Sequence, residues 1–170
     1  MDEVAADRPP TPRPALRVAV VMAREASPNR WEDWRFRLVD VVHHEAAFGD
    51  EARVLRDDGH LRHTLHPNFS VELFRDEAEG YYLNLSSGAP VWFVVWRIDD
   101  DDPSRAWPET VSVSYTEAGR WLDAQERVDN VPLAPDVVAW LQAYTDEHYR
   151  PEPKQRRRPQ SFVAPGERRG

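Results

Sequence analysis

Residues 91–96 form an unbroken run of six apolar side chains, Val-Trp-Phe-Val-Val-Trp, which constrains the fold more than any other segment. Successive side chains of a strand point to opposite faces, so Trp92 and Trp96 share one face while Phe93 and Val95 share the other. A strand that is apolar on both faces has to be covered on both sides. The run therefore predicts a central strand whose tryptophans pack in the core. An aromatic docking patch for a partner is the alternative interpretation.

A β-hairpin is the clearest local feature elsewhere in the chain. Asp58-Gly59 separates two short strand-like runs within 53–65, and this dipeptide supplies the positive φ angles that a two-residue hairpin turn needs. Other strand patterns, mostly separated by short turns, occur at 16–23, 34–42, 69–74 and 110–114, with a short extended piece at 127–133.

Three segments have helical patterns. Apolar side chains recur at helical spacing in 78–85 and 118–122, and Pro135 suits the first position of a last helix. That helix has an apolar stripe at Val137, Leu141, Tyr144 and His148. Capping-box spacing precedes the first two segments, at Asp76 with Glu79 and at Ser114 with Glu117.

Together these patterns predict a single α+β domain. It should contain a mostly antiparallel sheet of about six strands and two to three helices, with the C-terminal helix last. Strands and helices do not alternate regularly along the chain, so a parallel doubly wound sheet is not expected.

Proline and charge divide the chain into a body and two ends. Eight of the 15 prolines lie in the first fourteen and the last twenty residues. Segments rich in proline and charge bury too little apolar area to offset their ordering entropy. We therefore predict a disordered head at 1–14, a folded domain at 15–150 and a basic, proline-rich tail at 151–170.

The predicted domain is acidic, whereas the tail is basic. Residues 15–150 contain 14 Arg, no Lys and 25 Asp or Glu, a net charge of −11, while the last twenty residues carry +4. Because an acidic body repels phosphate backbones, nucleic-acid binding by the domain is disfavoured. Binding of nucleic acid through the tail is an alternative, but contact with a protein is favoured.

Composition also bears on chemistry and compartment. The chain has no Cys, which excludes disulfides, thiolate metal sites and a Cys nucleophile. Its acidic start lacks the apolar stretch of a secretory signal, and its longest apolar runs are too short to span a bilayer. We expect a cytoplasmic protein without membrane contact.

No residue pattern indicates a catalytic, metal or cofactor site. His60, His63 and His66 recur every three residues, but such residues on a strand point to opposite faces, so a solvated hairpin is favoured over zinc. Asp99–Asp102 lacks the alternating ligands and the Gly of a calcium loop. Ser86–Gly88 does not match a nucleophile elbow, and the 7 Gly form no phosphate-binding loop.

Several sequence blocks, taken in order and spacing, resemble a bacterial family named domain of unknown function 3305. The resemblance covers about residues 15–158, in blocks at 18–24, 29–31, 74–81, 84–86, 91–97, 111–118, 128–133, 138–140, 148–149 and 154–158. It implies that the chain is encoded near formate dehydrogenase-like molybdoenzymes and their maturation factors. The family implies no catalytic residues.

The first functional hypothesis is therefore a non-catalytic accessory or assembly protein for a formate dehydrogenase-like molybdoenzyme. It would act by contact with an enzyme subunit or a maturation factor, without a cofactor of its own. The expected contact residues are Asn29, Arg30, Trp31, Lys154, Arg156, Arg157 and Arg158.

The alternative hypothesis is a domain that binds a small molecule or a molybdenum-cofactor-related ligand. Arg and Asn side chains hold anionic groups, so its site is expected at Arg75, Tyr81, Asn84 and Arg97, near Arg30. Ordinary pairing of these arginines with the many carboxylates is the competing interpretation.

Overall fold

The computed structural model of the chain describes residues 12–27 and 34–151. Within these ranges it is a single α+β domain with two antiparallel sheets, which confirms the predicted fold class and the C-terminal position of the last helix. The seven strands are β1 (Ala15–Ala26), β2 (Trp34–His43), β3 (Arg53–Asp57), β4 (Leu61–Glu72), β5 (Val91–Ile98), β6 (Ala106–Ser112) and β7 (Arg127–Pro132). The three α-helices are α1 (Ala78–Ser86), α2 (Tyr115–Asp123) and α3 (Pro135–His148).

The strands divide between two sheets rather than forming the one sheet expected. The first has the order β2-β1-β4-β3 and the second the order β6-β5-β7, with antiparallel pairing throughout. A main buried cluster joins residues of both sheets with α1 and α3; it includes Val20, Leu38, Val71, Tyr81, Trp92, Val94, Trp96, Val113, Val137 and Leu141.

Strand β5 is central and covered, as its sequence predicted. Trp92 and Trp96 lie in the main cluster, with 2% and 8% of their surface exposed. On the other face Phe93 and Val95 are also buried, and the Phe93 ring meets the Tyr115 ring of α2 edge-on with their centroids 6.4 Å apart, within the usual aromatic spacing. Core packing thus accounts for both tryptophans of this strand.

Two strands that the sequence pattern predicts separately form one long strand, which contains a bulge. The predicted strand at 69–74 and the second arm of the hairpin are both parts of β4. Pro67 and Asn68 lie where the β1–β4 register shifts, and Asn68 has a φ of 72°. Proline lacks the N–H that a ladder needs and is tolerated at such bulges.

The hairpin is present, but its turn is centred one residue later than predicted. Gly59 and His60 are the central residues, and Gly59 has a φ of 84°. The Asp58 carboxylate closes the turn by accepting from the N–H groups of His60 at 3.0 Å and Leu61 at 2.7 Å. A side chain therefore replaces the backbone carbonyl that a two-residue turn would use.

The helix starts differ in how they are capped. The prediction of an Asp76–Glu79 capping box is wrong, because Glu77 occupies the N-cap of α1 and makes no capping hydrogen bond. A 3₁₀ turn at Arg75–Glu77 leads into this helix instead. Ser114 does cap α2, accepting from the Glu117 N–H at 3.2 Å, and Pro135 lies in the first turn of α3. No helix in the described ranges combines the length and apolar character needed to cross a membrane.

Candidate functional site

A cavity of about 440 Å³ opens between the two sheets at one end of the domain. Residues of β1, β2, β3 and β4 line one side, and the β5–β6 loop with the start of β6 lines the other. Three arginines line it together with apolar side chains: Arg24, Arg62, Arg105, Met22, Phe36 and Trp107. We refer to it as the Arg24 cavity.

Two of these arginines lie directly opposite each other on neighbouring strands. Arg24 of β1 and Arg62 of β4 are register partners, an arrangement of like charges that destabilises a sheet. Arg62 has a carboxylate partner, since its guanidinium lies 2.9 Å from the Asp57 oxygen. Among the described residues Arg24 has no carboxylate within ion-pair distance.

Other contacts hold the Arg24 guanidinium in place. Its Nη1 donates to the Ser104 carbonyl oxygen at 3.0 Å, and the group lies 4.0 Å from the centre of the Trp34 ring. Its Nε is buried and has no hydrogen-bond partner among the described residues. Arg24 is thus a positioned cation whose charge is not matched by a nearby carboxylate of the described residues.

The electrostatics of the cavity favour negative ligands. Burial and the charge of Arg62 lower the pKa of Arg24, although Asp57 and Asp102 oppose this shift. Burial lowers the pKa of His66 to about 4, so its imidazole is neutral near pH 7. Asp102 is the one carboxylate among the described lining residues, and it accepts hydrogen bonds from the Ser104 N–H and hydroxyl at 3.0 and 2.6 Å.

A second polar cluster, the Glu77 network, joins the starts of α1 and α2. The Glu77 carboxylate accepts from the Ser114 hydroxyl at 2.6 Å, the Thr116 hydroxyl at 3.0 Å and the Arg120 Nη2 at 2.5 Å. Burial raises the pKa of Glu77, but these hydrogen bonds outweigh it and the net shift is downward. The pKa of Glu117 is raised, chiefly by burial and then by the Glu77 charge.

Two carboxyl groups shifted in opposite directions resemble an acid–base pair, but the surroundings indicate a structural role. Both Glu77 oxygens are already hydrogen-bonded, and Glu117 borders a cavity of only about 170 Å³. The network also fixes Gly80, where a Cβ atom would overlap the hydroxyls of Ser114 and Thr116. We interpret it as the joint between the two helices.

The outer edge of β3 is the most exposed strand surface. All five residues of β3 are exposed, and Val54 and Leu55 keep 50% and 49% of their surface accessible. Strand β3 ends its sheet, so no described strand pairs with its outer backbone groups. We call this surface the β3 edge.

Comparison with known proteins yields one match. The sequence profile of the family described as Protein of unknown function (DUF3305) matches residues 17–158. The chain belongs to the DUF3305 family. No curated protein and no solved structure matches this DUF3305 protein.

In this DUF3305 protein, two residues of the predicted ligand site are buried and hydrogen-bonded within the fold. The Tyr81 hydroxyl accepts from the Phe74 N–H at 2.9 Å. The Asn84 amide donates to the carbonyl oxygens of Val91 and Val113, both at 2.9 Å. These contacts tie α1 to the strands beside it.

The two predicted ligand-site arginines lie apart. Asn84 contacts Val91, and Arg97 lies about 20 Å further along β5. The Arg97 guanidinium pairs with the carboxylates of Glu109 at 3.4 Å and Glu126 at 3.2 Å. Arg75 borders a cavity of about 870 Å³ beside the N-terminal end of the described chain. The formal charges of the arginines and carboxylates that line that cavity cancel, since Arg13 and Arg75 occur with Asp76 and Glu147.

The predicted partner-binding residues lie outside the described ranges: Asn29, Arg30, Trp31, Lys154, Arg156, Arg157 and Arg158. Their contact role stays a prediction. The histidines of the hairpin do not converge, because His66 lines the Arg24 cavity whereas His63 is three residues away on the same strand. The described residues contain no group of three or more metal-ligating side chains.

Sequence reasoning missed the Arg24 cavity. Arg24 and Arg62 are 38 positions apart, and only the β1–β4 register brings them together. The available signal was that Arg24 follows the buried run of β1, which marks a charge entering an otherwise apolar strand.

Proposed function

We propose that this DUF3305 protein is a non-catalytic accessory or assembly protein that acts by contact with a partner protein. The observation that carries the proposal is the β3 edge. An exposed edge strand offers a row of N–H and C=O groups with which an extended segment of another chain pairs. Val54 and Leu55 add half-exposed apolar surface beside those groups.

Charge at the β3 edge favours an acidic segment as the occupant. Arg53 and Arg56 flank the two apolar residues of this strand, in a body that is otherwise strongly acidic. Arg53 makes a long hydrogen bond of 3.5 Å to the Ala47 carbonyl oxygen, and Arg56 lies 3.2 Å from Asp58. An extended partner segment with Asp or Glu side chains would complement both arginines.

The partner we propose is a subunit or a maturation factor of a formate dehydrogenase-like molybdoenzyme. This choice rests on the family resemblance of the sequence and on what it implies about neighbouring genes. The partner-binding residues predicted at 29–31 and 154–158 would then supply a second contact, with the basic segment also meeting acidic groups.

Coexpression tests the proposal directly. The affinity-tagged full chain is produced with the proteins encoded by its neighbouring genes, and retained proteins are identified by mass spectrometry. We expect a subunit or maturation factor to remain bound to the wild-type chain. The Leu55→Glu variant should lose it, because it removes apolar surface and places a negative charge where an acidic segment would pair.

Leu122→Glu is the matched control. Leu122 of α2 is 59% exposed, close to the 49% of Leu55, but lies outside the β3 edge. It should retain the partner. Recovery of no partner with the wild-type chain, or equal retention by both variants, would count against the proposed contact. A chain ending at Arg150 tests the basic segment separately, and weaker retention is expected.

A further inference from the structure

We propose that the Arg24 cavity binds a small organic anion. One phosphate or carboxylate group would contact Arg24, Arg62 and Arg105, and an apolar part would lie against Phe36 and Trp107. Val54 of the β3 edge also lines this cavity, but the proposed ligand does not depend on the identity of any protein partner.

The size and lining of the cavity suit such a ligand. Its volume of about 440 Å³ lies in the range of small-molecule sites, which combine mostly apolar walls with a few placed polar groups. A planar guanidinium group can donate two parallel hydrogen bonds to a pair of carboxylate or phosphate oxygens, and aromatic rings pack against flat apolar groups. Both kinds of side chain line this cavity.

The charge arrangement is hard to explain by folding alone. A sheet that places Arg24 directly opposite Arg62 is destabilised by their repulsion. Asp57 pairs with Arg62, whereas Asp57 and Asp102 act on Arg24 only from beyond ion-pair distance and do not outweigh burial and the Arg62 charge. Asp102 already accepts two hydrogen bonds from Ser104. A bound anion would offset the repulsion between Arg24 and Arg62.

The Arg24 guanidinium is also held ready for a ligand. Its bond to the Ser104 carbonyl oxygen and its position over the Trp34 ring fix the side chain before anything binds. Ordering a long side chain on binding weakens affinity, so a guanidinium fixed in advance binds more tightly. The neutral imidazole of His66 adds a hydrogen-bonding group without adding a charge.

Titration calorimetry of the full chain at low ionic strength tests the proposal with four probes. Phenyl phosphate and benzoate carry an anionic group and a ring, phenol carries the ring alone, and inorganic phosphate carries the anion alone. We expect at least one of the two aromatic anions to bind, and to bind at least about tenfold more tightly than phenol and inorganic phosphate. The preferred anion identifies phosphate or carboxylate as the recognised group.

Three variants locate the site. Arg24→Gln and Arg105→Gln should each weaken binding of the preferred anion by at least about tenfold. Arg105 is exposed, so its replacement leaves the fold intact even if Arg24→Gln alters it. Arg97→Gln is the control, because Arg97 is an exposed arginine of β5 that is already paired with Glu109 and Glu126. It should bind as the wild type does.

Three results would overturn the proposal. The first is failure of both aromatic anions to bind at about 10 mM. The second is binding that survives in Arg105→Gln and in a folded Arg24→Gln variant. The third is equal affinity for the aromatic anions and for either phenol or inorganic phosphate, since that excludes a site for an anion with an apolar part. A failed partner pull-down would leave all these measurements unaffected.

Discussion

The side chain of Asn84 hydrogen-bonds both backbone groups of Val91. Its Nδ2 donates to the Val91 carbonyl oxygen at 2.9 Å, and its Oδ1 accepts from the Val91 N–H at 3.0 Å. The same Nδ2 also donates to the Val113 carbonyl oxygen at 2.9 Å. One side-chain amide thus bridges the backbone at the start of β5 and the backbone just after β6.

Replacing Asn84 should be costly because it leaves buried backbone groups without partners. Asn84→Ala is expected to lower the free energy of unfolding by about 2–4 kcal/mol, measured by urea denaturation. Asn130→Ala, at an exposed position of β7, should change it by less than about 0.5 kcal/mol. Similar small losses in both variants would contradict this role for Asn84.

Two helical glycines should respond to alanine in opposite directions. A Cβ at Gly80 would overlap the Ser114 and Thr116 hydroxyls, whereas one at Gly119 would meet nothing within 4 Å. Gly80→Ala should therefore destabilise the protein by about 1–3 kcal/mol through overpacking. Gly119→Ala should stabilise it by about 0.5–1 kcal/mol, because alanine has the higher helix propensity. Thermal denaturation of both variants checks the sign, and destabilisation by Gly119→Ala would contradict the open space at that site.

Glu77 should stabilise the protein only while it is ionised. Its pKa is lowered in the folded state, so its contribution is present above the ordinary carboxyl pKa and is lost as pH falls through the folded value. Glu77→Gln is expected to lose about 1–3 kcal/mol at pH 7 and much less near pH 3. Denaturant titrations at both pH values measure the difference. Glu79→Gln, exposed on α1, is the control, and an equal loss by Glu77→Gln at both pH values would argue against the charged interaction.

His66 should make the protein less stable in mild acid. Burial holds its pKa at about 4, below the ordinary 6.5, so the unfolded chain binds more protons between these values. The free energy of unfolding is therefore unaffected by His66 above pH 6.5 and declines as pH falls toward 4, by an amount on the order of 2 kcal/mol. Protonation would also place a cation beside Arg24 and Arg62 in the same cavity.

Melting temperatures across this pH range test the role of His66. The decline should be steep in the wild type and in His60→Gln, because His60 is exposed in the hairpin turn. It should be shallower in His66→Gln. Identical profiles for all three proteins would show that His66 does not set the decline.

Local pattern was enough to predict those parts of the fold that depend on local physics. The apolar run of β5, the Ser114 cap and the Pro135 helix start each follow from residues adjacent in sequence, and each is present. The division into two sheets depends on long-range pairing of β1 with β2 and β4, which no local pattern encodes. The capping prediction at Asp76 and Glu79 was wrong because a 3₁₀ turn moves the helix start to Glu77.

The candidate site depended even more on long-range structure. Tyr81 and Asn84 have side chains suited to ligands, but they bond backbone groups of the fold, at Phe74 for Tyr81 and as far as 29 residues away, at Val113, for Asn84. Arg24 and Arg62 look like ordinary surface arginines in the sequence, and the strand register alone makes them neighbours. Residue type indicated which side chains could bind an anion, but it did not indicate which of them lie close together in the fold.

The bulge at Pro67 and Asn68 lets one strand serve two purposes. Before it, the even-numbered Arg62, Thr64 and His66 face the cavity, while after it the odd-numbered Phe69 and Val71 join the core. At the bulge, β4 has one residue more than β1, so deleting Pro67 or Asn68 would leave a regular ladder in which Arg62, Thr64 and His66 still face the cavity. The extra residue therefore bends β4 between its two halves without choosing which side chains face inward, and a relative that lacks it would keep the same cavity wall on a straighter strand.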